Sequence, residues 1–249
     1  MDRDFHQGYM AIDFPTEPFH SAWRLLASSV VLFFANLRFL AAVTLVVYLP
    51  AKLALQFVLY ALDVPAGGML SYVSLDLSDL ILNALVVPAV VYGLVAKFRG
   101  GRTAAVGESL RWGRRQWGKT LWTMFKVEIT VALWGALLVI PGLVAMVRLI
   151  FAEAIVAIEA DRETEVLARS RVLSKGHGWR IFLVLLPLMA GGLVGTFLTL
   201  GALQQAAYSR VVIAVADSVL SVGGQWTTVA VLLMYLGVAS PAAPAKALR

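Results

Sequence analysis

LLVIPGLVAMVRLIFAEAIVAIE, Leu137 to Glu159, is apolar enough to lie in a bilayer, yet Arg148 and Glu153 stand near its middle. About 20 apolar residues make one membrane crossing. A Pro-Gly pair near the start of such a run reads as the tight turn of a helical hairpin, with one span arriving over about 120–139 and the next leaving over about 143–158. Charges inside such spans are costly and must be paired or used.

The rest of the chain is written in the same way. Of 249 residues, 60% are hydrophobic and 14% charged, and the mean hydropathy is +0.80, values that belong to a polytopic membrane protein rather than a soluble domain. Leu25 to Leu62 is almost all apolar. As one helix it would reach roughly 57 Å against a hydrocarbon core of about 30 Å, so it divides into an interfacial helix and a span. The reading is an all-α bundle of six transmembrane helices, at about 37–62, 80–96, 120–139, 143–158, 181–203 and 225–238. Interfacial amphipathic helices fall at about 18–36, 103–118, 163–175 and 205–222, and 241–249 forms a C-terminal tail.

Positive charge decides the orientation. Lys97, Arg99, Arg102, Arg111, Arg114, Arg115 and Lys119 crowd one connection, and Arg162, Arg169, Arg171, Lys175 and Arg180 another, while the segment carrying Asp63, Asp76 and Asp79 has no Lys or Arg. Basic loops stay inside, so both termini are expected in the cytoplasm and the acidic segment outside. The expected location is the bacterial cytoplasmic membrane. The start, with Asp2, Asp4, Asp13 and Glu17 against Arg3, lacks the pattern of a cleaved signal peptide. Three stretches, ending at Arg38, Lys119 and Arg180, each combine a helix-competent segment with a basic residue at the mouth of a helix pair. They suggest either an old repeat or the shared demand of a chain re-entering the membrane.

Chemistry is easier to exclude than to assign. There is no cysteine, so no disulfide or thiolate-bound metal is possible, and His6, His20 and His177 all fall outside the apolar runs, which argues against a buried axial ligand. No HExxH, Walker loop or GxSxG occurs. The expectation is a non-enzymatic protein with no metal, no cofactor and no nucleic-acid partner. If the hairpin turns at Pro141-Gly142, Glu128 lies level with Glu153, Lys126 within about a turn of both, and Arg148 one to two turns further out. Lys126, Glu128, Arg148 and Glu153 would then neutralise one another across a helix interface as a structural lock; the sharper alternative is a polar path for an ion, a proton or an anionic headgroup. Arg102, Arg111, Arg114, Arg115, Lys119, Arg169, Arg171 and Lys175 form the expected surface for anionic lipid or a partner complex. Gly191-x-x-x-Gly195 has the spacing of a close helix contact.

The segment Lys97 to Trp179 resembles the glycerophosphoryl diester phosphodiesterase membrane-domain family and its relatives. The shared features are a basic loop and helix before an apolar hairpin, Pro141-Gly142, an Arg at Arg148, and an acid at Glu159. A Glu-Ala-Leu-x-x-Ser-x-x-Leu helix follows, here Glu165 to Leu173 with Val166 in place of Ala, then Gly176 and Trp179. Glu153 stands where a small residue or Pro is expected. The resemblance implies a membrane domain without the catalytic domain that gives the family its name. Two functions fit: a scaffold or accessory subunit binding anionic lipid or a membrane complex, which the self-neutralising charges favour, and a transporter or exporter component for a small amphipathic or anionic solute.

Overall fold

The computed structural model describes residues 21–65, 68–159, 165–204 and 210–239. The start of the first interfacial helix, the link at 160–164 and the 241–249 tail lie outside them. Among the described residues the chain is helical, with no strand: α1 Ala22–Ala35, α2 Leu37–Ala61, α3 Met69–Gly100, α4 Val106–Leu137, α5 Val139–Leu149, α6 Ala152–Ile158, α7 Val166–Ser174, α8 Gly178–Gln204 and α9 Arg210–Ala239. Five stretches are long and apolar enough to cross a membrane: Leu37–Ala61, Met69–Gly100, Val139–Ile158, Gly178–Gly195 and Arg210–Ala239. The chain is thus a multi-pass membrane protein built from helices. The expected third span, the second half of α4, is not among these five, because Lys126, Glu128 and three threonines dilute its apolar residues, so six spans are not shown.

Several expected breaks are absent. Segments 103–118 and 120–139 join in one helix of 32 residues, about 48 Å long. Of the expected 205–222 segment, 205–209 lie outside the described residues, and the rest shares α9 with 225–238, so Gly223 and Gly224 sit inside a helix. α3 begins at Met69 and carries Asp76 and Asp79 in the helix rather than in an outer loop. It ends at Gly101, whose φ of 70° is the left-handed cap that glycine takes without strain.

The hairpin also turns earlier than expected. Leu138 is extended, with φ of -159° and ψ of 140°, and α5 starts at Val139. Pro141 therefore lies in the first turn of the returning helix, where a missing N–H costs nothing. Gly142 allows the two arms to touch, since a Cβ there would stand 2.7 Å from the Gly135 Cα.

α3 and α4 run antiparallel in close contact. Tyr92 Oη donates to Glu108 Oε1 at 2.6 Å, its ring stacks on Trp112 at 5.3 Å, and Trp117 Nε1 donates to the Ile81 carbonyl at 3.0 Å. Between these contacts Gly113 lies against the Leu85 carbonyl and Ala89. α6 is the centre of the core: every residue from Ala152 to Ile158 except Glu153 is buried. Trp112 Nε1 donates to the Ala157 carbonyl at 3.3 Å. Just beyond it, Glu159 accepts from Tyr235 Oη at 2.6 Å and pairs with Arg169 Nε at 2.8 Å, fastening α6 to α9 and α7. Large apolar side chains such as Val46, Phe57, Leu133 and Leu186 point outward. That surface suits lipid rather than water.

Candidate functional site

On α2, Tyr48, Lys52 and Gln56 recur every fourth residue and are all buried, so one helix face carries a polar stripe into the bundle. Lys52 has no exposed surface. Its ammonium lies 2.6 Å from Asp79 Oδ1 and 2.7 Å from Asp217 Oδ2, with the Leu75 carbonyl at 3.4 Å and the Tyr48 ring centroid at 5.9 Å. Three spanning helices, α2, α3 and α9, are thereby tied through one cation and two carboxylates. Bare charges at such depth are expensive, and pairing with hydrogen bonding is what makes their burial tolerable.

Asp79 of the triad also lines a larger space. A groove of ≈ 790 Å³ between α3, α4, α6 and α9 is lined by Asp76, Asp79, Glu128 and Glu153, together with Asn83, Gln225 and Thr228, with no Lys or Arg among the described residues of its lining. A second cavity of ≈ 460 Å³ shares Asp76, Asp79, Ser221, Gly224 and Thr227 with the first and extends past Asp217 to α8. The two spaces form a polar seam on both sides of Asp79. Formally the seam is acidic, because Lys52 can balance only one of its carboxylates. Such a lining favours a cation, a proton or a hydrogen-bond donor over an anion.

The four-charge lock expected from the sequence is not assembled. Glu128 and Glu153 do meet at the groove, but Arg148 faces a different cleft, beside Arg171 and Lys175. Lys126 lies 5.8 Å from the Trp122 ring centroid. No ion pair joins any two of the four among the described residues. The physical reason is angular: Arg148 and Glu153 are five positions apart, which separates them by about 140° around a helix.

The other sequence candidates are scattered in role. Arg102, Arg111, Arg114, Arg115 and Lys119 are exposed, the last four along the part of α4 that runs beside α3. Arg169 is committed to Glu159. Gly191 and Gly195 line the smaller polar cavity, and a Cβ at either would meet no atom within 4 Å, so neither serves a close helix contact among the described residues. Lys52, Asp79 and Asp217 carry no site signal by themselves in sequence, lying in an apolar run, in an acidic segment between spans and in a segment with interfacial character. The four-residue spacing of Tyr48, Lys52 and Gln56 within an apolar run was the available signal.

Comparison with protein-family models, with curated proteins and with solved structures finds no match to this chain. The family likeness drawn from Pro141-Gly142, Arg148, Glu159 and the Glu165 to Leu173 helix therefore rests on those residues alone.

Proposed function

We propose that this chain is a non-enzymatic membrane protein of the transporter or exporter-component class, whose acidic groove takes a small cationic or proton-bearing solute. The observation that carries the reading is the ≈ 790 Å³ groove among the spanning helices, with four carboxylates and no cation in its lining. Ionisable side chains facing a polar cavity at membrane depth are the usual mark of a solute or proton path. The sign of the lining revises the expected anionic solute to a cationic one. It also weakens the scaffold reading, which drew on buried charges that cancel.

The reading is tested with purified protein in liposomes and a fluorescent organic cation, ethidium, as probe. Uptake or release faster than in protein-free liposomes is expected, and Glu153→Gln and Asp76→Asn should each abolish most of it while the protein stays folded. Rates equal to those of empty liposomes, with and without a pH gradient, would sink the proposal.

The scaffold reading keeps one specific support, the exposed row Arg111, Arg114, Arg115 and Lys119 on α4. Basic residues near an anionic leaflet contribute about 1 kcal/mol each. A partner protein or anionic lipid that co-purifies only while those four remain charged would favour it. We also propose that this basic end of the bundle faces the cytoplasm, in a bacterial inner membrane, by the positive-inside rule.

A further inference from the structure

A second cavity outside the acidic seam has the opposite chemistry. α5 ends at Leu149, so the carbonyls of its last turn lack helical partners. α7 supplies one for Arg148: Ser170 Oγ donates to its carbonyl at 2.9 Å, and Ser174 Oγ, which donates to the Arg171 carbonyl at 3.1 Å, lies 3.4 Å from the same oxygen. Ser170 and Ser174 are one helical turn apart, as are Arg171 and Lys175 on the adjoining face. Gripping the Arg148 backbone with the serines therefore brings its guanidinium into the same cleft as Arg171 and Lys175.

That cleft, ≈ 640 Å³ between α5, α7 and α8, holds these three cations with no carboxylate in its lining. None of the three forms an ion pair among the described residues. The remaining wall is apolar, with Ile140, Leu143, Val144 and Phe182, and Trp179 stands beside it. A smaller trough of ≈ 340 Å³ on the other side of Arg148 and Arg171 is bordered by Trp134 and Leu149, again without an acid. The turn into the 27-residue α8 passes through Gly176, with φ of 83°, and the start of that helix opens on the cleft. Its free N–H groups add partial positive charge. An arginine in an apolar span needs a counter-charge, and none of the described residues lining the cleft supplies one.

We propose that this cleft binds one anionic glycerophospholipid, its phosphate held by Arg148, Arg171 and Lys175 and its acyl chains along the apolar troughs on either side. Guanidinium groups suit a phosphate because they donate paired hydrogen bonds in a fixed plane. The site is separate from the acidic groove and stands whether or not that groove moves a solute.

The test is native mass spectrometry of the full chain released from nanodiscs of phosphatidylglycerol mixed with phosphatidylcholine of the same chains. One retained phosphatidylglycerol is expected, with retention about tenfold weaker in Arg148→Gln and in Arg171→Gln. Arg171→Lys should keep part of it, and the Arg24→Gln/Arg38→Gln variant, which removes two exposed arginines away from the cleft, should match the unaltered protein. Equal retention of phosphatidylcholine by the unaltered protein would overturn the proposal, and that comparison needs no variant to fold. Displacement of the lipid by millimolar inorganic phosphate would overturn it in favour of a free-anion site. Unchanged retention in both Gln variants would show the lipid to be held elsewhere.

Discussion

Lys52→Met should destabilise the protein by about 1–3 kcal/mol, less than the roughly 3–5 kcal/mol of a fully buried ion pair, because Asp79 keeps 36% of its side chain exposed. The methionine fills much of the lysine's space but leaves Asp79 and Asp217 without the cation that sits 2.6 and 2.7 Å from them. Two carboxylates on different spanning helices would then have to repel each other, take up protons or draw in water. The triple variant Lys52→Met/Asp79→Asn/Asp217→Asn removes all three charges together and should recover a large part of the loss. Thermal unfolding in detergent, followed by helical circular dichroism, reads both. Similar losses in the single and triple variants would mean that Lys52 matters for its packing and not for its charge.

Gly113→Leu should cost about 1–3 kcal/mol or more, the range for forcing extra atoms into a filled contact. A Cβ at this position already collides with the Leu85 carbonyl and would stand 3.1 Å from the Ala89 Cβ. Backbone cannot swing aside as a side chain can, so α3 and α4 would have to part. The hydrogen bonds from Tyr92 to Glu108 and from Trp117 to Ile81 flank the contact and would lengthen with it. Gly107→Ala and Gly118→Ala serve as controls on the same helix, because a Cβ at either meets open space. Those changes should be neutral or stabilising by about 0.5–1 kcal/mol, the helix-interior penalty of glycine. A Gly113→Leu protein as stable as these controls would contradict the close α3 to α4 contact.

The sequence made the broad architecture legible because helix length and hydropathy are local properties. Apolar runs, basic connections and a hairpin between Thr120 and Ile158 can all be read without knowing what touches what. The breaks were misplaced for a related reason. Gly118-Lys119 and Gly223-Gly224 resemble ends of helices, since glycine is a poor helix former. In the structure α4 and α9 run through them, and packing along the flanking turns overrides the local preference. Pro141-Gly142 resembles a turn in isolation but sits just inside a helix, where proline is equally at home.

The candidate site was legible only in part. Glu128 and Glu153 reach a common groove, as their predicted depths suggested. The partner assumed for them was wrong, because depth along a helix says nothing about direction around it, and Arg148 points to α7 and α8 instead. Lys52, Asp79 and Asp217 come from three helices far apart in the chain. Their meeting is a product of tertiary packing, and no spacing rule links them. What periodicity could have given was the inward stripe of Tyr48, Lys52 and Gln56.

A groove that carries a cationic solute between α3, α4, α6 and α9 must be open to water. The natural chain has no cysteine, so single cysteines at Asn83, Thr228 and Val46 can be compared in intact membranes by their labelling with a cationic, membrane-impermeant thiol reagent. Asn83 and Thr228 line the groove, whereas Val46 is an exposed apolar residue of a spanning helix. Rapid labelling is expected at Asn83→Cys and Thr228→Cys, slowed by excess organic cation, and almost none at Val46→Cys. Labelling at the two groove positions as slow as at Val46→Cys would contradict an open groove.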